Sequence, residues 1–454
     1  MVGKNWGLKP KVCLWMYTSL IRPILTYASF VWVSALEKEY KRKMLEKVQR
    51  QGCLLILSAM RSTPPAGMEV ILGIRPIEVH IKELAIKSYL RLVKNGNWKH
   101  IKGEVIKRSN HAVIITEMAE EIPEIFLPTD KLLEKELGVS NFKTNIKRRT
   151  DIIGKTIRLT PTQVNTLHCF TDGSKTKTGS GFGYIMRGGN IKAQGYDHLG
   201  KLATVFQAEI TALEYSGQRM LDLNIKGMNI QFYVDSQAAI KAVSNYCISS
   251  KSVLNAKQTL NCLGVDNNIT INWIPSHVGY LGNEVADRLA KLGSYGNETH
   301  RTRPEPYIPV SISNSKTLIK DWGQKLHQEI WTNPKDPRFC RQTRMMLKNV
   351  KNNIWKLIKG GTRKEAWQAT QMLTGHASIN KHLKNIKVVT SAACDKCKYE
   401  EESIEHFLGH CPAYNRLRTE IFGTNIINSG DFSKLRLRDL QRFANRSKRF
   451  EYTT

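Results

Sequence analysis

The sequence predicts an α/β protein in which a mixed five-stranded sheet, flanked by helices, lies between two mostly α-helical regions. Two observations lead to this prediction. Residues 166–294 alternate short strands with glycines and then show helical periodicity, in the order βββ-α-β-α-α-β-α, which is typical of a mixed sheet with helices on its faces. Both flanking regions carry apolar residues three and four positions apart, as amphipathic helices do.

The central elements follow from their local patterns. Alternation of apolar and polar residues predicts strands at 167–172, 181–187, 191–196, 230–235 and 269–274. Apolar residues that recur every three or four positions predict helices at 205–223, 237–243, 253–263 and 283–292.

A chain of 454 residues is long enough for two or three domains. Changes in composition and in residue pattern divide it into five segments. These are a helical region at 1–95, a linker at 96–165, the central domain at 166–294, a proline-containing linker at 295–312, and a basic helical region at 313–454. The first linker is predicted from clustered charges and weak periodicity.

The chain carries a formal net charge of +30 at pH 7, and the charge is uneven. Residues 166–294 hold 12 basic and 9 acidic side chains, net +3, whereas residues 1–165 have net +13 and residues 295–454 net +14. Such an excess indicates a polyanionic partner, most often nucleic acid, held by the two flanks.

Nine cysteines, an odd number and mostly scattered, lack the density of a secreted disulfide scaffold and indicate a reducing compartment. The first residues show no signal peptide. The apolar stretch 12–36 is interrupted by Arg22 and Pro23, so a pair of buried helices is expected there and no membrane span. We expect a protein of the nucleus or cytoplasm, neither secreted nor in a membrane.

Four carboxylates lie at the ends or edges of apolar elements: Asp172, Glu209, Asp235 and Asp287. An unpaired carboxylate there is costly unless a cation binds it, and gathered oxygen ligands suit Mg²⁺ or Mn²⁺. Taken one by one, each acid also has a structural explanation: a turn residue, a helix-surface charge, a helix N-cap and an ion-pair partner.

These acids stand in the fragments T-D-G-S-K, V-F-Q-A-E-I-T-A-L, F-Y-V-D-S-Q-A-A-I, I-P-S-H-V-G and G-N-E-V-A-D-R-L-A-K. In this order, the fragments resemble a type 1 ribonuclease H domain. The resemblance implies a ribonuclease H-like fold and hydrolysis of the RNA strand of an RNA/DNA hybrid with two Mg²⁺ ions, leaving a 3′-hydroxyl and a 5′-phosphate. All four family carboxylates have a counterpart here.

The resemblance also implies roles for single residues. Asp172 is expected to be shared between the two ions, with Glu209 and Asp235 on one ion and Asp287 on the other. His277 matches the family histidine that assists proton transfer or product release, and its ordinary pKa of about 6.5 permits that role.

Three polar residues flank the acids, namely Ser174, Gln207 and Ser236. By resemblance they are expected to contact the hybrid backbone or its 2′-hydroxyl groups.

A second cluster, Cys394, Cys397, His406 and Cys411, has the spacing C-x2-C-x8-H-x4-C, which is able to close a tetrahedral shell around one structural Zn²⁺. His410 is a competing ligand, and ordinary cysteines beside a chance histidine remain the alternative. The surrounding T-G-H-A-S-I-N-K-H-L and E-H-F-L-G-H-C-P-A-Y resemble the zinc-containing end of polyproteins from insect Jockey-like non-LTR retrotransposons.

The opening G-L-K-P-K-V-C-L-W-M-Y-T-S-L-I-R-P-I-L-T-Y-A-S-F-V-W is similar to the region after the reverse-transcriptase palm of those elements, commonly the thumb. The chain departs from the family because it has no [YF]-x-D-D motif and no fingers or palm. A palm domain encoded elsewhere is therefore an expected partner, alongside the RNA/DNA hybrid.

Two rival functions remain open. The chain is either a hybrid-cutting nuclease or a catalytically silent nucleic-acid-binding remnant that uses its basic flanks and zinc module. A DNA-specific nuclease or integrase of related architecture is a weaker third reading, because the His277 segment and the Gln207-Ala208-Glu209 helix favour the ribonuclease.

Overall fold

The computed structural model describes residues 6–96, 110–146, 165–276, 278–296, 304–333 and 340–450, and only the backbone of residues 110–112. The chain forms two compact units. The unit that we call the helical unit contains Met1–Tyr89, Ile101–Glu121 and Ile319–Thr454, and the sheet unit contains Leu90–His100 and Ile122–Leu318.

The strands all belong to the sheet unit. In chain order they are β1 (Lys131–Leu137), β2 (Lys143–Asn145), β3 (Thr166–Lys175), β4 (Ser180–Gly188), β5 (Ile191–Gly200), β6 (Asn229–Val234), β7 (Cys247–Ser250) and β8 (Asn268–Trp273). Six of them form one mixed sheet in the order β2-β8-β6-β3-β4-β5. Strands β3, β4 and β5 are antiparallel neighbours, whereas β6, β8 and β2 continue the sheet in parallel from β3.

The predicted mixed sheet is confirmed, with one strand more than expected. The additional strand, β2, comes from the segment 96–165, which was predicted to be a linker. The same segment supplies β1, which pairs with β7 of the central domain in a separate two-stranded sheet. Asp130 fixes this segment by accepting hydrogen bonds from the backbone N–H and the hydroxyl of Ser252, at 2.7 and 2.8 Å. The segment is rich in lysine, which is common on edge strands and hides the alternating pattern of a strand.

The helices flank this sheet in the centre of the chain and form the helical unit at both ends. Before the sheet they are α1 (Pro10–Met16), α2 (Arg22–Thr26), α3 (Ser29–Trp32), α4 (Glu39–Leu57), α5 (Pro65–Leu72), α6 (Ile77–Lys94) and α7 (Asn110–Glu120). Within the sheet unit they are α8 (Val205–Asp222), α9 (Gln237–Ser244), α10 (Lys251–Asp266) and α11 (Leu281–Tyr295). The later helices are α12 (Ile312–Thr332), α13 (Arg341–Met346), α14 (Ile354–Ile358), α15 (Arg363–Thr374), α16 (Asn380–Asn385), α17 (Ile404–Gly409), α18 (Asn415–Phe422) and α19 (Leu437–Ser447).

The sheet has an apolar cluster on each face because side chains alternate along its strands. Cys169 and Phe232 point into the larger cluster, which α8, α9 and α10 cover. Phe170 and Tyr233, one position further along, point to the smaller cluster with Ala286 of α11. Helix α11 comes very close to β4 because Gly183 has no side chain: a Cβ atom there would lie 2.4 Å from the backbone nitrogen of Ala290.

The helical unit joins the two ends of the chain around one hydrophobic core, which includes Leu57, Met68, Trp367 and Phe443. The regions 1–95 and 313–454, predicted as separate segments, therefore pack as one body. In the part of the chain that the structure describes, no single helix is long and apolar enough to cross a bilayer, and one bent pair, Pro10–Thr26 with Ser29–Glu37, has the length and composition for it.

Candidate active site and metal centres

The sheet brings two of the predicted acids together at the edge toward which the carboxyl ends of its central parallel strands, β3 and β6, point. Parallel strands β3 and β6 are in register at Thr171 and Val234, so the next residues, Asp172 and Asp235, emerge side by side. The carboxyl ends of parallel strands are a common position for binding sites in α/β folds. Trp273, at the end of β8, donates from Nε1 to the carbonyl oxygen of Asp235 at 2.9 Å and holds that backbone in place.

The third acid, Glu209, reaches this edge from α8. Its approach depends on Gly173, where a Cβ atom would lie 2.6 Å from the backbone nitrogen of Glu209. The N–H of Gly173 also donates to Oδ1 of Asp172 at 2.7 Å and orients that carboxyl group. Carboxylate oxygens of Asp172, Glu209 and Asp235 consequently lie within 4.8 Å of one another.

Asp287 approaches the same site from α11. It lies close enough to Asp172 to hydrogen-bond it and to raise its pKa, although it is outside the compact group of three. Its Oδ2 atom also pairs with Nζ of Lys291 at 2.6 Å, one helical turn away. Asp287 therefore forms the ion pair that its spacing to Lys291 suggests, and it also lies beside Asp172.

The cluster has the electrostatics of a site built for a cation. Burial, followed by the charges of Asp235 and Asp287, raises the pKa of Asp172 to about 8. Burial and the charges of Asp172 and Asp235 raise the pKa of Glu209 well above its ordinary value. Oε2 of Glu209 is buried and has no hydrogen-bond partner among the described residues.

These residues fit a divalent cation. Oxygens on opposite sides of Mg²⁺ are about 4 Å apart, so a small side-chain movement closes the observed 4.8 Å group around one ion. A bound cation would also satisfy the unpartnered oxygen of Glu209 and remove the repulsion that raises the pKa values of the acids.

The other predicted site residues lie in different surroundings. Ser174 is half-buried on β3, two residues after Asp172. Ser236 caps α9 by accepting a hydrogen bond from the backbone N–H of Ala239 at 3.3 Å. His277 lies outside the described residues.

The prediction that Gln207 contacts the nucleic acid is wrong. The residue is fully buried, and its side chain forms a capping box with Thr204 at the start of α8. Its Nε2 atom donates to the carbonyl oxygen of Pro309 at 2.7 Å. Because both ends of the amide are used within the fold, Gln207 positions the helix that carries Glu209 and is not available to a nucleic acid.

One further polar residue near the acids was not predicted. Asn283 lies one helical turn before Asp287, and its buried Oδ1 atom has no hydrogen-bond partner within the described ranges. The spacing of four residues on α11 places both side chains on the same face of the helix, and this spacing is the signal that sequence reasoning missed.

The Cys/His cluster of the helical unit is assembled as predicted. Ligand atoms of Cys394, Cys397, His406 and Cys411 all lie within 4.8 Å of one another. The sulfur atoms of Cys394 and Cys411 are 3.9 Å apart, and Sγ of Cys397 is 3.4 Å from Nε2 of His406. Tetrahedral Zn²⁺ with Zn–S bonds of about 2.3 Å requires sulfur atoms about 3.8 Å apart, so the residues fit this ion.

Glu400 decides which histidine faces the sulfur atoms. Its Oε2 atom lies 3.1 Å from Nδ1 of His406 and 2.9 Å from Nε2 of His410. His406 therefore turns its other nitrogen, Nε2, toward the cysteines, an arrangement that metal-binding histidines commonly show. His410, the competing ligand, is held by Glu400 instead.

Comparison with known proteins concerns the domain that carries these acids. The RNase H family profile matches residues 164–295. A 115 kDa protein in the type-1 retrotransposable element R1DM of Drosophila melanogaster is 29% identical over 87 residues, which are 19% of this chain and only 8% of that protein.

Two solved structures each match 28% of this chain. RNase H1 from the archaeon Halobacterium salinarum NRC-1 is 26% identical, and the match covers 28% of this chain and 96% of that protein, with a TM-score of 0.24. The N-terminal RNase H domain of Rv2228c from Mycobacterium tuberculosis is 19% identical, with 28% and 98% covered and a TM-score of 0.24. The part of this chain at residues 164–295 is an RNase H domain.

Proposed function

We propose that this chain hydrolyses the RNA strand of RNA/DNA hybrids at the site formed by Asp172, Glu209, Asp235 and Asp287. The observation that carries the proposal is the convergence of three carboxylates within 4.8 Å, with the fourth beside them, at one edge of the RNase H sheet. The four acids come from β3, α8, the end of β6 and α11, so only the fold brings them together.

The acids would hold two Mg²⁺ or Mn²⁺ ions, with Asp172 shared, Glu209 and Asp235 on one ion and Asp287 on the other. Bound there, such ions lower the pKa of water and stabilise the charge that develops on the leaving oxygen of a phosphodiester. In the hydrolysis, the water oxygen bonds to phosphorus and the bond from phosphorus to O3′ breaks. The products are a 5′-phosphate and a 3′-hydroxyl.

The surrounding residues orient the acids and the substrate. The N–H of Gly173 fixes Asp172, and Trp273 fixes the backbone of Asp235. Ser174 and Ser236 would contact the hybrid backbone or the 2′-hydroxyl groups that distinguish RNA from DNA. His277 would transfer a proton at the leaving oxygen.

The remainder of the chain would bind nucleic acid and link the nuclease to reverse transcription. The basic flanks supply most of the +30 charge for phosphate contacts. The Cys/His cluster would hold one structural Zn²⁺ ion. The likeness to a retrotransposable-element protein supports a reverse-transcription context. In that context residues 1–95 would act as a thumb-like segment, and a reverse-transcriptase palm would be the partner.

The direct test is cleavage of a labelled RNA/DNA hybrid by the full chain in Mg²⁺. Asp172→Asn and Asp235→Asn are expected to reduce cleavage by at least about 10³-fold, because a neutral amide holds a cation poorly. Asp222→Asn is the matched control, since Asp222 is an exposed residue at the end of α8.

Substrate controls separate the rival functions. Single-stranded RNA and double-stranded DNA should remain intact under the same conditions. If the wild-type chain and both site variants bind the hybrid equally and none cuts it, the chain is a silent binding protein. If it cuts double-stranded DNA instead, the DNA-specific nuclease is correct.

A further inference from the structure

A second candidate ligand-binding site lies in the helical unit, outside the RNase H domain. It is a cavity of about 400 Å³, which we call the histidine cavity. Its lining comes from the loop before α5, the start of α13, the segment from the end of α15 through α16, and the start of α17. This volume is within the range of small-ligand pockets, roughly 300–1,000 Å³.

Two imidazole rings form one wall of the cavity. The centroids of His376 and His382 are 4.6 Å apart in an edge-to-face arrangement, and Nε2 of His382 lies 2.9 Å from the hydroxyl of Ser62, which fixes that ring. Burial, followed by the charges of His382 and Arg50, lowers the pKa of His376 to about 4. At neutral pH His376 is therefore an uncharged aromatic surface.

Two lining residues carry polar atoms that the protein leaves unsatisfied. Nδ1 of His376 and Nε2 of Gln342 are buried and have no hydrogen-bond partner among the residues that the structure describes. Buried polar groups in proteins are nearly always hydrogen-bonded. A planar ligand would satisfy both nitrogens if its edge carried an acceptor for Nε2 of Gln342 and the group that complements Nδ1 of His376, an acceptor or a donor according to the tautomer of that ring.

The rim of the cavity is positively charged. Arg341 and Lys381 are both exposed and line the opening, and Glu405 is the one carboxylate among the lining residues. Nζ of Lys381 also lies 2.9 Å from Glu401, which does not line the cavity. An aromatic wall, unsatisfied hydrogen-bonding atoms inside and two cations at the rim together match a base that is attached to phosphate.

We propose that the histidine cavity binds one unstacked nucleobase of a single-stranded nucleic acid, with the neighbouring phosphates on Arg341 and Lys381. Bases that leave the stack commonly pack on aromatic side chains and form hydrogen bonds through their edges. The proposal is independent of hybrid cleavage, because single-stranded nucleic acid is not the substrate of the RNase H site.

The test compares two fluorescent probes with the full chain: a ten-nucleotide uridine RNA and a probe of the same length and charge with abasic units. The wild-type chain should bind the base-bearing probe at least about tenfold more tightly, which is the effect of stacking one base. Asn385→Leu, at an exposed lining position, should narrow the cavity without offering an aromatic face and should reduce this preference. Gln342→Ala should reduce it.

The charge variants test the rim separately. Arg341→Gln with Lys381→Gln should weaken both probes to a similar extent, whereas Lys384→Gln, on the same helix but outside the lining, should change neither. Equal binding of the two probes by the wild-type chain would overturn the proposal. A preference that is unchanged in both Asn385→Leu and Gln342→Ala, with circular dichroism melts like that of the wild-type chain, would overturn it as well.

Discussion

At the scale of single residues, the site depends on small differences between neighbours. Asp172 and Gly173 are adjacent, yet one supplies a carboxylate and the other supplies the absence of a side chain that lets Glu209 approach. Gln207 is two residues from Glu209 on the same helix, but its amide is already hydrogen-bonded in a capping box. Residue type alone does not separate a ligand from a residue that positions it.

Gly173→Ala is expected to impair cleavage strongly. The new methyl group would lie 2.6 Å from the backbone nitrogen of Glu209 and 2.9 Å from the carbonyl carbon of Ala208, so α8 must move away from β3. A displacement of about 1 Å at a catalytic centre costs roughly a hundredfold in rate. The measurement is kcat on a labelled hybrid.

Gly138→Ala serves as the matched control for that substitution. A Cβ atom at Gly138 meets no atom within 4 Å, so this variant should cleave like the wild-type chain. Wild-type kcat in Gly173→Ala would show that the close approach of α8 to β3 is not required for activity.

At the scale of elements, periodicity predicts most of what is observed. The five expected strands and the four central helices all form, because their apolar positions have the period of the structure that buries them. Three strands, β1, β2 and β7, were missed. Strands β2 and β7, of three and four residues, carry too little pattern to indicate a strand, and β1 is rich in charged residues. The four residues of the Cys/His cluster come together as their spacing suggested, and that spacing is read directly from the chain.

Zinc content tests the Cys/His module. The wild-type chain is expected to contain one Zn²⁺, measured by elemental analysis after dialysis, and Cys397→Ser should lose it because one of four ligands is gone. The melting temperature of the helical unit should fall by at least about 5 °C, since Phe407 within the module packs against Phe443 of α19, with ring centroids 5.1 Å apart.

Two variants sharpen this measurement. Cys262→Ser removes an exposed cysteine far from the cluster in sequence and should keep the metal. His410→Gln should also keep it, because His410 is bonded to Glu400 and does not face the sulfur atoms. Absence of zinc from the wild-type protein, or one zinc ion per chain in Cys397→Ser, would rule out the predicted ligand set.

At the scale of the whole molecule, the ends of the chain pack together. Arg363, only 4% exposed, donates to the carbonyl oxygens of Leu8 and Leu55, at 2.9 and 2.5 Å, and so ties α15 to residues more than 300 positions earlier. Positive charge is concentrated in the segments that flank the RNase H domain. The molecule therefore combines an RNase H domain of low net charge with basic flanking regions.

Binding of a hybrid should weaken steeply with salt if the basic flanks contact phosphate. With four or more phosphate contacts, the association constant is expected to fall at least about a hundredfold between 50 and 200 mM salt. Fluorescence anisotropy of the Asp172→Asn variant measures binding without cleavage. A salt response that is nearly flat would contradict phosphate contacts as the main source of affinity.

Periodicity was enough to predict the fold class, the resemblance to ribonuclease H pointed to the four acids, and the spacing of three cysteines and a histidine pointed to the proposed zinc module, because all of these are read along the chain. The packing of distant segments settled the rest: Gln207 is internal, Gly173 admits α8, and the two end regions share one core. These outcomes depend on which surfaces meet, and an apolar stripe or a polar side chain does not specify its partner until distant segments are packed together.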